Sequence, residues 1–218
     1  MNWQSLWQSL NLMPPSNLLA ELQTAYAQPQ RFYHTQQHLQ ECLILLAEVE
    51  HLAKQPAELT LALYFHDAVY NPQANDNEAQ SAAWAMQVLT QCQAQETLIQ
   101  RIKNLIMATQ HHTVTEDDTD GQLLLDIDLA ILGQETARFN EYEQQIRQEY
   151  AWVSEQDFKS GRAAVLQSFL QREWIYQTDY FRGRLEQQAR LNIQTALEQL
   201  KNLDNFNRHS SCFTTTNT

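Results

Sequence analysis

Only four glycines and five prolines punctuate 218 residues, and that scarcity is the strongest constraint on the fold. Closely spaced strands need turn residues at short intervals, so a chain this poor in them has few hairpins and reads against an all-β architecture. Gln, Ala, Leu and Glu, all good helix formers, are abundant instead. The expected fold is all-α: a single-domain helical bundle over residues 1–204, followed by a Ser/Thr/Asn-rich tail, 205–218, expected to be disordered. No internal repeat or linker breaks the chain.

Apolar spacing and end signals place the helices. Ser16 is positioned to cap a helix burying Leu18, Leu19 and Leu22. Thr35 caps the next, to about His51. Pro56 suits the first turn of a third carrying Leu59, Ala62, Leu63 and His66 along one side. Asp76 opens a fourth, and Glu96 to His111 reads as a fifth with Leu98, Ile102, Leu105 and Ile106 inward. The acidic segment Thr113 to Gly121 reads as a loop. Gln122 to Leu132 is a short, very apolar helix closed by Gly133. Helices over Thr136 to Trp152, Ser154 to Trp174 and Asp179 to about Leu203 complete the set.

The formal net charge of -12 disfavours nucleic-acid backbone as a partner. Between Lys159 and Arg190 the balance reverses, with Lys159, Arg162, Arg172, Arg182, Arg184 and Arg190 against Glu173, Asp179 and Glu186. That stretch suits a small phosphate-bearing ligand or is a solvated helix face. The three cysteines, Cys42, Cys92 and Cys212, form no CxxC pair, which argues against a disulfide framework and a thiolate zinc site. No apolar run approaches a membrane span and the first residues lack the pattern of a secretory leader, so the expected location is the cytoplasm. Trp152, Phe158, Phe169 and Trp174 suit a homo-oligomer interface as readily as a core.

Four polar residues occupy positions where the pattern calls for apolar ones. His66 shares a face with Leu59, Ala62 and Leu63, and Asp67 follows it. His38 lies on the face of Cys42, Leu45 and Val49. Asp128 is flanked by Leu124, Leu125, Ile131 and Leu132, while Asp126, grouped with Gln122, Leu123, Leu129 and Ala130, is the alternative inward carboxylate. A buried carboxylate needs a cation or hydrogen bonds. Two imidazoles and two carboxylates make a mixed N/O set that suits Mn²⁺, Fe²⁺, Co²⁺, Ni²⁺ or Zn²⁺ and, less well, Mg²⁺. The competing reading is a set of satisfied polar groups in a helical core.

Tyr33-His34-Thr35-Gln36-Gln37-His38, then Leu63-Tyr64-Phe65-His66-Asp67, then Ile127-Asp128-Leu129 resembles the HD superfamily of metal-dependent phosphohydrolases. The resemblance covers roughly Arg31 to Leu200 and extends to a bacterial subfamily of predicted HD phosphohydrolases. It continues through Asn77-Glu78-x-x-Ser81-Ala82, Ala108-Thr109-Gln110-His111-His112, Gly161-Arg162, Ile175-Tyr176-x-Thr178 and Ala189-Arg190-x-Asn192. It implies a divalent ion on His38, His66, Asp67 and Asp128, with His34 as general acid by likeness to cyclic-nucleotide phosphodiesterases. Thr35 stands where those enzymes have Asn, and their long C-terminal half is missing, so cyclic-nucleotide specificity is not implied.

The expected function is hydrolysis of a small phosphorylated molecule, a nucleotide among the options, as a phosphomonoesterase or phosphodiesterase. The alternatives are a non-catalytic module binding metal and nucleotide as a sensor, and a plain helical scaffold. In the enzyme reading Asp67, with His34 or His112, carries the chemistry, and Arg162, Arg172 and Glu78 contact substrate or its water.

Overall fold

The computed structural model describes residues 1–210, with side chains through residue 201. Among them are ten α-helices and no strand: α1 (Trp3–Ser9), α2 (Leu18–Tyr26), α3 (Gln36–Val49), α4 (Pro56–Phe65), α5 (Asn77–Gln91), α6 (Glu96–Ala108), α7 (Thr119–Asp128), α8 (Thr136–Glu149), α9 (Glu155–Leu170) and α10 (Asp179–Ser210). Among the described residues no helix is long and apolar enough to cross a membrane. The chain divides into two compact units, Met1–Leu129 and Ala130–Thr218. The division falls in a 3-10 turn, Leu129–Gly133, where an unbroken apolar stretch gives the sequence no linker signal.

In the first unit the organising element is α4. Leu59, Thr60, Leu61, Ala62, Leu63 and Phe65 are all buried, so no face is left for water, and a helix apolar all round must be enclosed. It packs against α1, α3, α5, α6 and α7. Each Leu or Phe buried there contributes about 1.5–3 kcal/mol, and truncating Leu61 or Leu63 to Ala would cost about 2–5 kcal/mol. The remaining helices show one apolar side each, such as Leu39, Cys42, Leu46 and Val49 on α3.

Helix ends follow the sequence in part. Thr35 caps α3, its hydroxyl accepting from Gln37 N–H at 3.3 Å, and Pro56 occupies the first turn of α4. The short α1, which sequence reading left out, is closed by a reciprocal Asn2–Ser5 capping box. Helix α7 begins inside the expected acidic loop because Asp118 accepts from Gly121 N–H at 2.9 Å. A Cβ on Gly121 would sit 2.6 Å from Asp118 Oδ2.

Two residues after Asp118, Asp120 is buried, accepting Lys54 N–H and Gln55 N–H, each at 2.8 Å. Asp120 thus pins the start of α7 to the start of α4, while Asp128 at the end of α7 lies beside His66.

The second unit packs α9 on α10 around Phe139, Leu166, Tyr176, Phe181, Ala189 and Ile193. Its helices α8 and α9 stop at Glu149 and Leu170, earlier than the expected ends at Trp152 and Trp174, and both tryptophans are exposed. Gly133 does not close a helix through a left-handed conformation, since no glycine has positive φ. It is needed for space, because a Cβ there would meet Leu185 Cβ at 2.6 Å and Tyr176 Oη at 2.8 Å. Helix α10 continues through 205–210, which the sequence reading gave to the tail. The rest of that expected tail, 211–218, lies outside the described residues.

Candidate metal centre

The centre grows from the end of α4. His66 is its C-cap, with its N–H on Ala62 O at 2.8 Å. The ring Nδ1 lies 2.7 Å from Leu63 O. A carbonyl only accepts, so Nδ1 carries a hydrogen and Nε2 of the neutral ring presents a lone pair. Tyr26 Oη donates to Leu63 O and Tyr64 O at 3.5 and 3.3 Å, holding the same turn from below.

The structure brings His38, His66, Asp67 and Asp128 together around that lone pair. His38 Nε2 lies 3.1 Å from His66 Nε2. His38 Nε2 is 3.4 Å from Asp67 Oδ2 and 3.3 Å from Asp128 Oδ1. His66 Nε2 is 3.1 and 3.5 Å from the same two oxygens. An ion with bonds of ~2.1 Å places neighbouring ligands roughly 3.0 Å apart in an octahedron and 3.4 Å in a tetrahedron, and these separations fall in or next to that range. His38, His66 and Asp67 form one set that could hold a metal ion, and His38, Cys42 and Asp128 form another. The imidazoles are 3% and 1% exposed and the carboxylates 17% and 14%. The set therefore has a dry floor and a solvent-facing rim.

Charge follows geometry. Burial works against the imidazolium form of both histidines. The neighbouring Cys42 and Tyr33, with bonds to Asp128 and Asp67, push His38 well above the usual imidazole value. Asp67 and Tyr26, with bonds to both carboxylates, do the same for His66. Burial alone would raise the carboxyls, but His66 and His34, with bonds from His38 and His66, hold Asp67 well below the carboxylate range. His112, His38 and His66 do so for Asp128. Burial also lifts the Tyr26 hydroxyl to about 12, so it stays a donor. Two Nε2 atoms 3.1 Å apart cannot both aim a proton at each other, so without a cation the pair shares one far more readily than it holds two.

The two candidate acids flank this set. His34 stacks on Tyr70 at 4.2 Å, its ring 6.0 Å from that of His38. His112 Nε2 lies 3.4 Å from Asp128 Oδ2, the oxygen turned away from His38. His112 is also held at φ 51°, a left-handed conformation that costs a non-glycine residue energy and gathers at functional sites. Glu78 is half-buried in the first turn of α5. Asp126 is fully buried on α7, and it is Asp128 that meets the histidines.

The two arginines expected at substrate belong to the second unit. Arg162 is buried, with Nε 3.3 Å from Glu143 Oε2 and a second bond from Nη2 to Oε1, its guanidinium over Tyr142. Burial disfavours its charge, but Tyr142 and Glu143 outweigh that and raise it. A fork already engaged by a carboxylate holds its helix in place and has little left for phosphate. Arg172 is half-buried with its guanidinium 4.8 Å from the Phe169 ring centre.

Sequence reasoning missed what holds the ligands. Arg31 is 5% exposed. Its Nη1 donates to His34 O at 2.9 Å and Asp67 O at 2.7 Å, and Nη2 donates to Ala68 O at 3.0 Å. The guanidinium faces the Tyr26 and Tyr70 rings. One side chain thus ties the His34 loop to the His-Asp turn. Ser81 clips the next residues, taking Val69 N–H at 3.0 Å, while Asn77 accepts Asn71 N–H at 2.9 Å and donates to Asn71 O at 3.0 Å. A loop arginine has no periodicity to betray it, but its position two residues before Tyr33-His34 was a usable signal. No family model matches the chain, and neither does any curated protein or solved structure.

Proposed function

We propose that this protein is a metal-dependent phosphohydrolase acting on a small phosphorylated molecule, with a divalent ion on His38, His66, Asp67 and Asp128. The supporting observation is the Nε2 of His66, its ring oriented by the Leu63 carbonyl and facing a second imidazole nitrogen and two carboxylate oxygens at 3.1–3.5 Å. A constellation of acceptors in an apolar interior calls for a cation. A divalent ion there would supply Lewis acidity toward a phosphoryl oxygen and a water ionisable near neutral pH.

The chain's own residues do the rest. The four ligands come from the ends of packed helices. Arg31 keeps the His34 loop registered with Asp67. His34 or His112, at the rim, holds a proton for the departing oxygen. The exposed edges of Asp67 and Asp128 leave the approach open to a phosphate ester.

Metal analysis of tag-free protein, followed by a panel of generic phosphate esters with Mn²⁺, Co²⁺, Ni²⁺ and Mg²⁺, tests this reading. The expected outcome is one or more bound ions and turnover that His66→Ala and Asp67→Ala abolish. Turnover indifferent to both substitutions would reject the site. Tight metal binding with no turnover across the panel would favour the non-catalytic sensor.

A further inference from the structure

Cys42 lies one helical turn beyond His38 on α3 and is 2% exposed. Its Sγ is 3.7 Å from His38 Nδ1 and 3.9 Å from His38 Nε2. His38, Cys42 and Asp128 each offer a ligand atom within 4.8 Å of the other two. The widely spaced cysteines argue against a multi-thiolate site, but not against a single thiol beside an imidazole and a carboxylate. With a metal–sulfur bond of ~2.3 Å and a metal–nitrogen bond of ~2.0 Å, tetrahedral neighbours stand roughly 3.5 Å apart. The Sγ to Nε2 separation of 3.9 Å is near that spacing.

We infer that the centre has a second, thiophilic mode, in which His38, Cys42 and Asp128 hold a soft ion such as Cd²⁺ or Zn²⁺. This inference rests on the proposed metal centre, because it borrows two of its four ligands. Binding breaks the S–H bond of Cys42; the sulfur electron pair goes to the cation and the proton leaves to solvent. Thiolate selects soft ions, whereas imidazole with two carboxylates serves Mn²⁺ or Mg²⁺. Since His38 and Asp128 serve both modes, the two ions exclude each other. A thiophilic cation is therefore a competitive inhibitor of the ion that the His66–Asp67 side retains.

The test titrates tag-free full-length protein with Cd²⁺ alone and follows the ultraviolet thiolate-to-cadmium charge-transfer band, with Mn²⁺ binding followed separately by electron paramagnetic resonance. The expected band saturates near one equivalent, is lost in Cys42→Ser with helical circular dichroism retained, and survives in His66→Ala. Cd²⁺ should also release Mn²⁺ from the wild-type protein. No band in the wild type overturns the inference, as does a band that persists in Cys42→Ser, which would assign it to Cys92 or Cys212. Mn²⁺ binding without the band sinks the thiophilic mode alone. The band without Mn²⁺ binding supports that mode and counts against the four-ligand centre, and silence in both channels defeats both.

Discussion

Both units bury charge, but the candidate centre of the first handles it differently from the ion pairs of the second. In the second unit Glu143 and Glu186 each have dedicated donors. Glu143 takes the Arg162 fork, and Glu186 takes Ile175 N–H, Tyr176 N–H and Arg190 Nε at 3.1, 3.2 and 2.7 Å. Arg190 in turn straps Arg172 O and Glu173 O, and Asn192 Nδ2 bridges Leu132 O and Gln134 O. These closed pairs rivet loops to helices. In the first unit Asp120 is closed by two backbone donors in the same way, but at the end of α4 two imidazole nitrogens face one another as well as two carboxylates. Burial is common to both regions; what separates a rivet from a reactive centre is whether the donors and acceptors balance.

The largest effect should come from unbalancing the balanced side. Arg162→Leu leaves Glu143 facing an apolar wall and should cost about 3 kcal/mol in chemical denaturation. Arg162→Leu/Glu143→Leu should recover most of it. A double substitution as damaging as the single one would remove the contrast between the regions.

Next comes the strap beside the unbalanced side. Arg31→Ala should weaken Mn²⁺ binding about 10–100-fold. Arg31→Lys should restore only part, because an ammonium cannot reach three carbonyls as a planar fork does. Equal Mn²⁺ affinity in all three proteins would deny Arg31 its positioning role.

The smallest effect is graded with pH. His38 and His66 titrate above the ordinary imidazole value, so their pairing stabilises the metal-free fold fully below pH ~6.5 and is lost as pH rises through the raised value. Asp67 and Asp128 titrate low, so their contribution is present above pH ~4 and is lost as pH falls through the lowered values. A divalent ion must displace the shared imidazole proton. Its affinity should therefore rise about tenfold per pH unit below the raised value. Calorimetry in buffers of different ionisation enthalpy should record net proton release. Proton-neutral binding would mean that the nitrogens are bare beforehand.

How much of this was readable in advance depended on periodicity. The helical class followed from turn-residue scarcity, and the inward direction of His38, His66 and Asp128 followed from their apolar neighbours at i±3 and i±4. The unit boundary inside Leu129–Gly133 was invisible because apolar residues run through it. Arg31, Ser81 and Asn77 act from loops or helix starts on backbone groups, and no spacing rule marks such bonds. The sequence put Arg162 and Arg172 among the basic residues of an acidic chain, but local charge could not reveal that Glu143, on another helix, already holds Arg162.

Asp120 and Asp128 turn α7 into a ruler. One carboxylate grips the entry of α4 and the other stands at its exit, so the intervening stretch is fixed in its count of residues as well as in their kind. Each residue of an α-helix advances about 1.5 Å and turns about 100°. Between the two marks Gly121 and the buried Leu123, Leu124, Leu125, Asp126 and Ile127 hold the helix in place. Adding or removing a single residue would swing Asp128 away from the histidines and turn the buried face of α7 with it.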